Sequence, residues 1–178
     1  MSWNIEVEGG KSVRLPTAGK YCEQDIVVTA TSDDLGKQVV ERTITTLVND
    51  QITKINAYGL AYCTKLVELK LSKCTFLNGY GLYHCTSLTI VDFANHLSIE
   101  HSAFSGCGNL STVILRSNTM SSLSSNNQSV FTNTLIADGT GHIYVPAALV
   151  DTYKADNNWS IYANQIRAIE DYPDICGS

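Results

Sequence analysis

The chain has little positive charge and no segment that would carry it into a membrane. Its 12 lysine and arginine residues are scattered along 178 positions, and with 17 acidic residues the net charge is -5. Such a chain has no basic stripe to release counterions from a phosphate backbone, so nucleic-acid binding is not expected. The first residues lack the basic and apolar regions of a secretory signal, and no apolar run reaches the roughly 18 residues of a membrane helix. We therefore expect no membrane insertion, while the compartment stays open.

Motifs of common enzymes and metal sites are missing as well. The sequence contains no P-loop, no HExxH, no GxSxG and no EF-hand loop, and its six cysteines include no CxxC pair. These motifs place nucleophiles, general bases or metal ligands at fixed spacing, so their absence weakens the enzyme and metal-site hypotheses. We predict a protein without enzyme activity, cofactor or metal.

What the chain does have is a repeat of 22 residues. Cys63, Cys85 and Cys107 follow one another at this spacing, and the apolar residues around them recur at the same offset. A unit of this length cannot bury its own apolar face and needs neighbours on both sides, so the period predicts stacked coils. The recurring apolar residues of the first repeat are Ile55, Leu60, Leu66, Leu69 and Leu71.

The repeat predicts an α/β fold, a right-handed leucine-rich-repeat solenoid with a parallel sheet and short helical turns, over residues 34–146. Each repeat is expected to contain a strand such as 69–71, a tight helical turn such as 57–63, and a shorter strand such as 52–55. Three regular repeats cover about 51–116, and Val39 to Val48 supplies a first, incomplete strand.

Residues 117–146 are predicted to form a fourth, stretched repeat. Serine, threonine and asparagine fill more than half of 117–141, which is typical of a linker. However, Phe131 matches Phe104 at an offset of 27, and Ile143 matches Val113 at an offset of 30. The apolar columns therefore continue through two insertions.

The two ends are expected to differ from the repeats. Short alternating segments between glycine and proline turns predict an N-terminal β arm or cap over residues 1–33. After Pro146, which suits the first turn of a helix, residues 147–178 predict a C-terminal helical cap with a last strand. Its apolar residues are Leu149, Val150, Tyr153, Trp159, Ile161, Ile166 and Ile169.

The cysteines of the repeat column are predicted to be buried free thiols, because that column also requires apolar neighbours. Cys22, Cys74 and Cys176 lie outside it, and whether Cys22 pairs with Cys176 stays open. Cys74 and His96 share another column, as a Cys–His dyad, as half of a metal site, or as a polar pair at the rim of the core. The polar pair is favoured because no further metal ligand falls in register.

One group of neighbouring polar residues resembles a catalytic set: Asp92, His96, His101 and Ser102. His96 and Ser102 stand in columns that are expected to face different directions, which argues against a shared nucleophile and base. Tyr58 and Tyr80 share a column and are expected to stack.

The repeat unit resembles the BspA-like leucine-rich repeats of bacterial proteins, in residues 55–71, 77–93 and 99–115. Residues 141–159 look like a C-terminal segment that closes such arrays in Firmicutes and their prophages, and residues 15–28 resemble a segment of prophage structural proteins. Gly59 and Gly81 stand where the family usually has alanine, and Leu60 and Leu82 replace its phenylalanine. The resemblance implies a binding role on a cell surface or in a virion and brings no catalytic residues.

Strand alternation predicts which side chains the sheet displays. The outward positions are Glu68, Lys70, Ile90, Asp92, Thr112, Ile114 and Tyr144. Mixed charge with isoleucines and a tyrosine fits a protein or glycan ligand, and an ordinary solvated sheet face fits equally well. The insertion 117–128 is the other candidate binding region.

Two functions follow from these observations. The first is a noncatalytic binding module that presents its sheet face to a protein or glycan, in a phage tail or on a bacterial surface. The alternative is a structural assembly component, whose N-terminal β arm joins copies into a homo-oligomer or docks onto a larger particle.

Overall fold

Two parallel sheets, each built from one strand per repeat, organise the chain. The computed structural model describes residues 44–50 and 52–177, together with three short strands before them, β1 Ile5–Val7, β2 Val13–Leu15 and β3 Gln24–Ile26. Cys22 and residues 39–43 of the predicted first strand lie outside the described residues. β2 and β3 pair with each other in antiparallel fashion, and β1 pairs with the first strand of one repeat sheet.

The larger sheet contains the strand predicted at 69–71 and its equivalents in the other repeats. Leu47, Leu69, Val91, Val113 and Ile143 pair in register along it, and each of them is fully buried. All neighbouring strands are parallel, in the order β13, β12, β10, β8, β6, β4. Their bounds are β4 Thr46–Asn49, β6 Glu68–Leu71, β8 Ile90–Phe93, β10 Thr112–Leu115, β12 His142–Val145 and β13 Ile166–Ala168.

The smaller sheet contains the second strand of each repeat. The predicted strand Ile52–Ile55 is confirmed as β5, and β7 Phe76–Leu77, β9 Ser98–Ile99 and β11 Ser122–Leu123 follow it in parallel. β1 pairs antiparallel with β5 at the other edge of this sheet. The inward side chains of both sheets form one continuous apolar core.

The tight helical turn predicted at 57–63 is wrong. Tyr58 and Tyr62 have φ values of 57° and 61°, which no right-handed helix accepts. The N–H groups of Leu60 and Tyr62 donate to the carbonyls of Gly81 and Tyr83 in the next repeat, at 2.8 and 2.7 Å. A helix would use these donors internally, so the repeat gives up helical bonds for bonds between repeats.

The cysteine column is buried, as predicted. Cys63, Cys85 and Cys107 are fully enclosed free thiols. The Cys85 thiol donates to the carbonyl of Leu60 in the preceding repeat at 3.1 Å, and Cys107 donates to Leu82 at 3.1 Å. Burial, and then the contact with Cys107, raise the pKa of Cys85 well above its ordinary value. These thiols act as small apolar groups that also join neighbouring repeats.

Alkaline pH is expected to destabilise the fold through the buried thiols. Burial raises the pKa of Cys74 from 9.0 to about 12. Its contribution to stability is complete below pH 9 and is lost as the pH rises from 9 towards 12, because the unfolded chain releases the proton first. The free energy of unfolding, measured with urea at several pH values in this range, falls as the pH rises. In Cys74→Ala this fall should be shallower by up to about 1.4 kcal/mol per pH unit. Equal slopes would contradict this.

The stretched repeat stacks on the third one at the predicted positions. Thr112, Val113 and Ile114 pair with His142, Ile143 and Tyr144, and the Phe104 and Phe131 rings lie parallel with centroids 5.2 Å apart. In place of a cysteine, Thr134 is buried and its hydroxyl donates to the Phe131 carbonyl at 2.7 Å. The threonine hydroxyl thus finds a partner within its own repeat.

Short helical elements occupy much of the described chain after β11. They are α1 Asn127–Val130, α2 Val150–Ala155 and α3 Pro173–Cys176, with 3-10 turns at Ala147–Leu149, Ser160–Gln165 and Ile169–Asp171. Pro146 precedes the first of these 3-10 turns. Tyr153 and Trp159 join the main core, and β13 extends the larger sheet. Within the described ranges, no helix has the length and hydropathy needed to cross a bilayer.

Candidate functional site on the outward face of the larger sheet

The first two strands of the larger sheet present an open outward face. Val48 on β4 is 64% exposed. Lys70 lies beside it in register on β6 and forms an ion pair with Glu68, with Nζ and Oε1 2.8 Å apart. This half of the predicted face is therefore accessible.

The other half of the face is covered, so the expectation that Asp92, Ile114 and Tyr144 are displayed is wrong. These three residues are 8%, 1% and 3% exposed. Ile114 and Tyr144 form a second apolar cluster with Cys176, and Ile90, Ile169 and Tyr172 pack against it. Thr112, the first residue of β10, is partly exposed.

The cover is the C-terminal segment 169–177. Ile169, Tyr172 and Cys176 supply the side chains that pack on this face. The 3-10 turn Ile169–Asp171 and the helix α3 are separated by Tyr172, whose φ of -132° and ψ of 57° are not helical, and Pro173 occupies the first position of α3. The Tyr172 ring meets the Tyr144 ring edge to face at 5.3 Å.

Arg116, which the sequence analysis missed, links the sheet to this segment. Its Nε and Nη2 donate to the two carboxylate oxygens of Asp92 at 2.8 Å each, a bidentate pair. Nη2 also donates to the backbone carbonyl of Cys176. The hydrogen bond with Asp92 raises the pKa of the Arg116 guanidinium above its ordinary value. Arg116 directly follows β10 and stands two residues after the outward Ile114, so strand alternation could have identified it.

Breaking the Asp92–Arg116 ion pair is expected to lower the free energy of unfolding more than breaking the exposed Glu68–Lys70 pair. The Asp92 side chain is 11% exposed and that of Arg116 is 32% exposed. Arg116→Ala leaves a nearly buried carboxylate without its partner, and we expect a loss of about 1–3 kcal/mol, reduced from a fully buried pair by solvent screening. Adding Asp92→Ala should recover part of that loss in urea unfolding. Lys70→Ala, at an exposed pair, is the control, with an expected change below about 1 kcal/mol.

A groove of about 420 Å³ lies where the open and covered halves meet. Lys70 and Asp92, two of the seven predicted residues, line it, and Arg116 closes it on the covered side. Glu68 reaches it only through its ion pair with Lys70. The remaining lining residues, which the sequence analysis did not select, are Val48, Asn49, Asp50, Leu71, Ser72 and Ala94.

Three ionisable side chains of the covered half are uncharged at neutral pH. Burial, and then the charge of Arg167, lower the pKa of His142 below its ordinary 6.5. Burial raises the pKa of Tyr144 above 10.0 and that of Cys176 above 9.0. All three groups are therefore neutral at pH 7, and the cluster stays apolar.

The polar groups considered as catalytic or metal-binding do not assemble. Asp92 is engaged by Arg116, while His96 and His101 are exposed. The Cys74–His96 pair is also wrong, because Leu97 fills the inward position and its N–H donates to Ser121 Oγ at 3.0 Å. Among the residues placed by the structure, no group of three or more His, Cys, Asp or Glu side chains is arranged to hold a metal.

The insertion 117–128 takes part in the packing. It contains β11, which pairs with β9, and Ser121, which is fully buried. Met120 packs against the core. Half of its twelve residues are exposed, namely Asn118, Thr119, Ser122, Ser125, Asn126 and Gln128.

Two repeat sheets around one core, each built from one strand per repeat, define a repeat protein of stacked coils. A family model confirms this class: the BspA type leucine-rich repeat region matches residues 41–144 in six copies, which is more than half of the chain. The chain belongs to the BspA-type leucine-rich repeat family. Such repeats are generally noncatalytic modules that bind proteins. Comparison with curated proteins and with solved structures gave no match.

Proposed function

We propose that the outward face of the larger sheet receives a segment of a partner protein, in the groove over β4 and β6. The observation that carries this proposal is the C-terminal segment itself, which docks on the same face over β8, β10 and β12. There the face accepts apolar side chains on Ile114 and Tyr144 and offers Arg116 to a backbone carbonyl. These are contacts with a protein segment, which favours a protein ligand over a glycan on this face.

The groove indicates what such a segment contains. Val48 supplies exposed apolar area, while Asp50 and Lys70 present opposite charges beside it. An apolar side chain flanked by polar ones fits this surface, and a highly charged polymer of one sign does not. A short segment with a few apolar side chains would repeat the contacts that Ile169, Tyr172 and Cys176 make on the covered half.

Peptide display on the full chain tests the proposal. Panning a random peptide library should enrich sequences that bind wild type and bind the Val48→Asp/Lys70→Glu variant at least about tenfold more weakly. Lys65→Glu, at an exposed position away from the groove, is the matched control and should retain binding. If the enriched peptides bind both charge variants equally, or none is enriched, the groove is not the site.

We also propose a location in a virion or on a bacterial surface. It is supported by the resemblance of residues 15–28 and 141–159 to segments of prophage and Firmicutes proteins. Tail and lysis genes beside the coding sequence would favour the virion, and a sortase or secretion system would favour the cell surface. Neighbouring genes of central metabolism would contradict both.

The assembly role is a second candidate, because among the strands that the structure describes β2 and β3 pair with each other and join neither repeat sheet. An isolated two-stranded hairpin is marginal in water and gains stability from a partner surface. Sedimentation velocity of the full chain should then show an oligomer that disappears on deletion of residues 1–33. A monomer in both cases would exclude homo-oligomer formation through this arm.

A further inference from the structure

A cluster of aromatic rings lies on the turns that connect the two sheets, away from the groove. We call it the aromatic surface: Tyr58, Tyr62, Tyr80, Tyr83, His84 and His101. Tyr58 stacks on Tyr80, as predicted, with centroids 4.8 Å apart, and Tyr62 stacks on His84 at 5.6 Å. Tyr83 stands edge to face between the two stacks, and His101 meets Tyr80 edge to face at 5.2 Å. The result is a connected set of rings held in fixed orientation.

The backbone beneath these rings is strained. Tyr58, Tyr62, Tyr80 and His84 all have φ between 55° and 61°, a region that side chains with a Cβ adopt at an energetic cost. Residue Gly106 occupies the same place in the third repeat as Tyr62 and His84, with φ of 79°. Ser102, at the place of Tyr58 and Tyr80, has φ of 55° as well. The repeat backbone therefore takes this conformation with glycine or serine, and it does not require aromatic side chains.

The fold itself does not require the rings. The third repeat has Ser102, Ser105 and Gly106 at the positions of Tyr80, Tyr83 and His84, yet its strands pair in the same register. None of the rings contributes to the apolar core. Strained, half-exposed aromatic residues that the repeat can do without mark a binding surface.

The chemistry of the surface points to its ligand. The six side chains include no carboxylate, ammonium or guanidinium group, and the Tyr80 and Tyr83 hydroxyls have no hydrogen-bond partner within the described part of the chain. Aromatic faces carry partial negative charge and attract C–H bonds, while the hydroxyls donate and accept hydrogen bonds. Since the rings are already immobilised, binding costs little side-chain entropy. We infer that the aromatic surface binds a neutral carbohydrate.

The third repeat supplies the test variant. Tyr80→Ser/Tyr83→Ser/His84→Gly copies onto the second repeat the residues that the third one already uses. On an array of neutral glycans, with heparin as an anionic control, wild type should bind one or more neutral glycans and not heparin. The triple variant should bind those glycans at least about tenfold more weakly.

Two further variants separate this site from the groove and from misfolding. Tyr80→Phe/Tyr83→Phe keeps the rings and removes only the hydroxyls, so it should fold as wild type and lose affinity severalfold. Val48→Asp/Lys70→Glu should leave glycan binding unchanged, whatever happens to peptide binding at the groove. The inference is overturned if wild type binds no neutral glycan, or if wild type and both tyrosine variants bind equally. It is also overturned if wild type prefers heparin, or if the triple variant loses binding to a protein partner instead of a glycan.

Discussion

Replacing Trp159 by alanine is expected to lower the free energy of unfolding by about 3–5 kcal/mol. The indole is fully buried and meets the Tyr153 ring edge to face at 5.1 Å. Its Nε1–H donates to the carbonyl of Ser121 at 2.8 Å, and the N–H of Ser121 donates to the Tyr153 hydroxyl at 2.7 Å. The substitution therefore leaves a cavity and an unpaired buried carbonyl at the same place.

Urea unfolding followed by circular dichroism measures this loss. Ile161 lies two residues further along the same segment and is 46% exposed, so Ile161→Ala is the matched control, with an expected change of about 0.5 kcal/mol or less. A loss below 1 kcal/mol in Trp159→Ala would mean that residues 147–168 do not stabilise the end of the repeat array.

Replacing Phe131 by alanine is expected to have an effect of similar size, about 3–5 kcal/mol. Phe131 stacks on Phe104 of the third repeat and meets Tyr162 of the 3-10 turn Ser160–Gln165 edge to face at 5.2 Å. All three rings belong to the main core. The substitution removes the middle ring of a series that connects the third repeat, the stretched repeat and this 3-10 turn.

Phe131→Leu is the control that the repeat itself provides, because Leu60 and Leu82 occupy the same column in the first two repeats. Phe131→Leu nearly conserves the side-chain volume, so it should lower the free energy of unfolding by less than about 1.5 kcal/mol. The two variants are compared by urea unfolding. Equal losses for alanine and leucine would show that Phe131 does not occupy the column that the sequence assigns to it.

The repeat columns predicted most of the sheet framework because burial imposes the same residue types on every repeat. Leu47 pairs with Leu69, and Val113 pairs with Ile143, although the second match needed an offset of 30. Apolar residues in register reveal which positions face the core, and this information survives insertions.

The loops were less predictable because several backbone paths satisfy the same columns. The loops before β7 and β9 have equal length, yet one buries Cys74 and exposes Thr75 while the other exposes His96 and buries Leu97. Each loop turns its more apolar residue inward, because burying an imidazole without a partner costs free energy. Similarly, nothing in residues 57–63 signals a left-handed φ at Tyr58, since glycine is the residue that indicates it.

Only the open half of the candidate site was predicted correctly, and the cause differs from that in the loops. Strand alternation gave the outward direction of Ile114 and Tyr144 correctly but contained no information on what packs above them. Ile169 was predicted to be an apolar residue of the C-terminal cap, while Tyr172 and Cys176 were not named among its apolar residues. Docking of these three residues on the sheet is a tertiary contact, which local sequence patterns do not specify.

Binding of the C-terminal segment in trans tests most directly whether the sheet face recognises protein segments. In the full-length Ile169→Ser/Tyr172→Ser variant, the segment is expected to leave Ile114 and Tyr144 exposed. Fluorescence anisotropy with a labelled peptide of residues 166–177 should then show saturable binding to this variant and none to wild type, whose face is already occupied. Adding Ile114→Asp should abolish it. No binding to the released variant, or binding that Ile114→Asp leaves unchanged, would contradict the account.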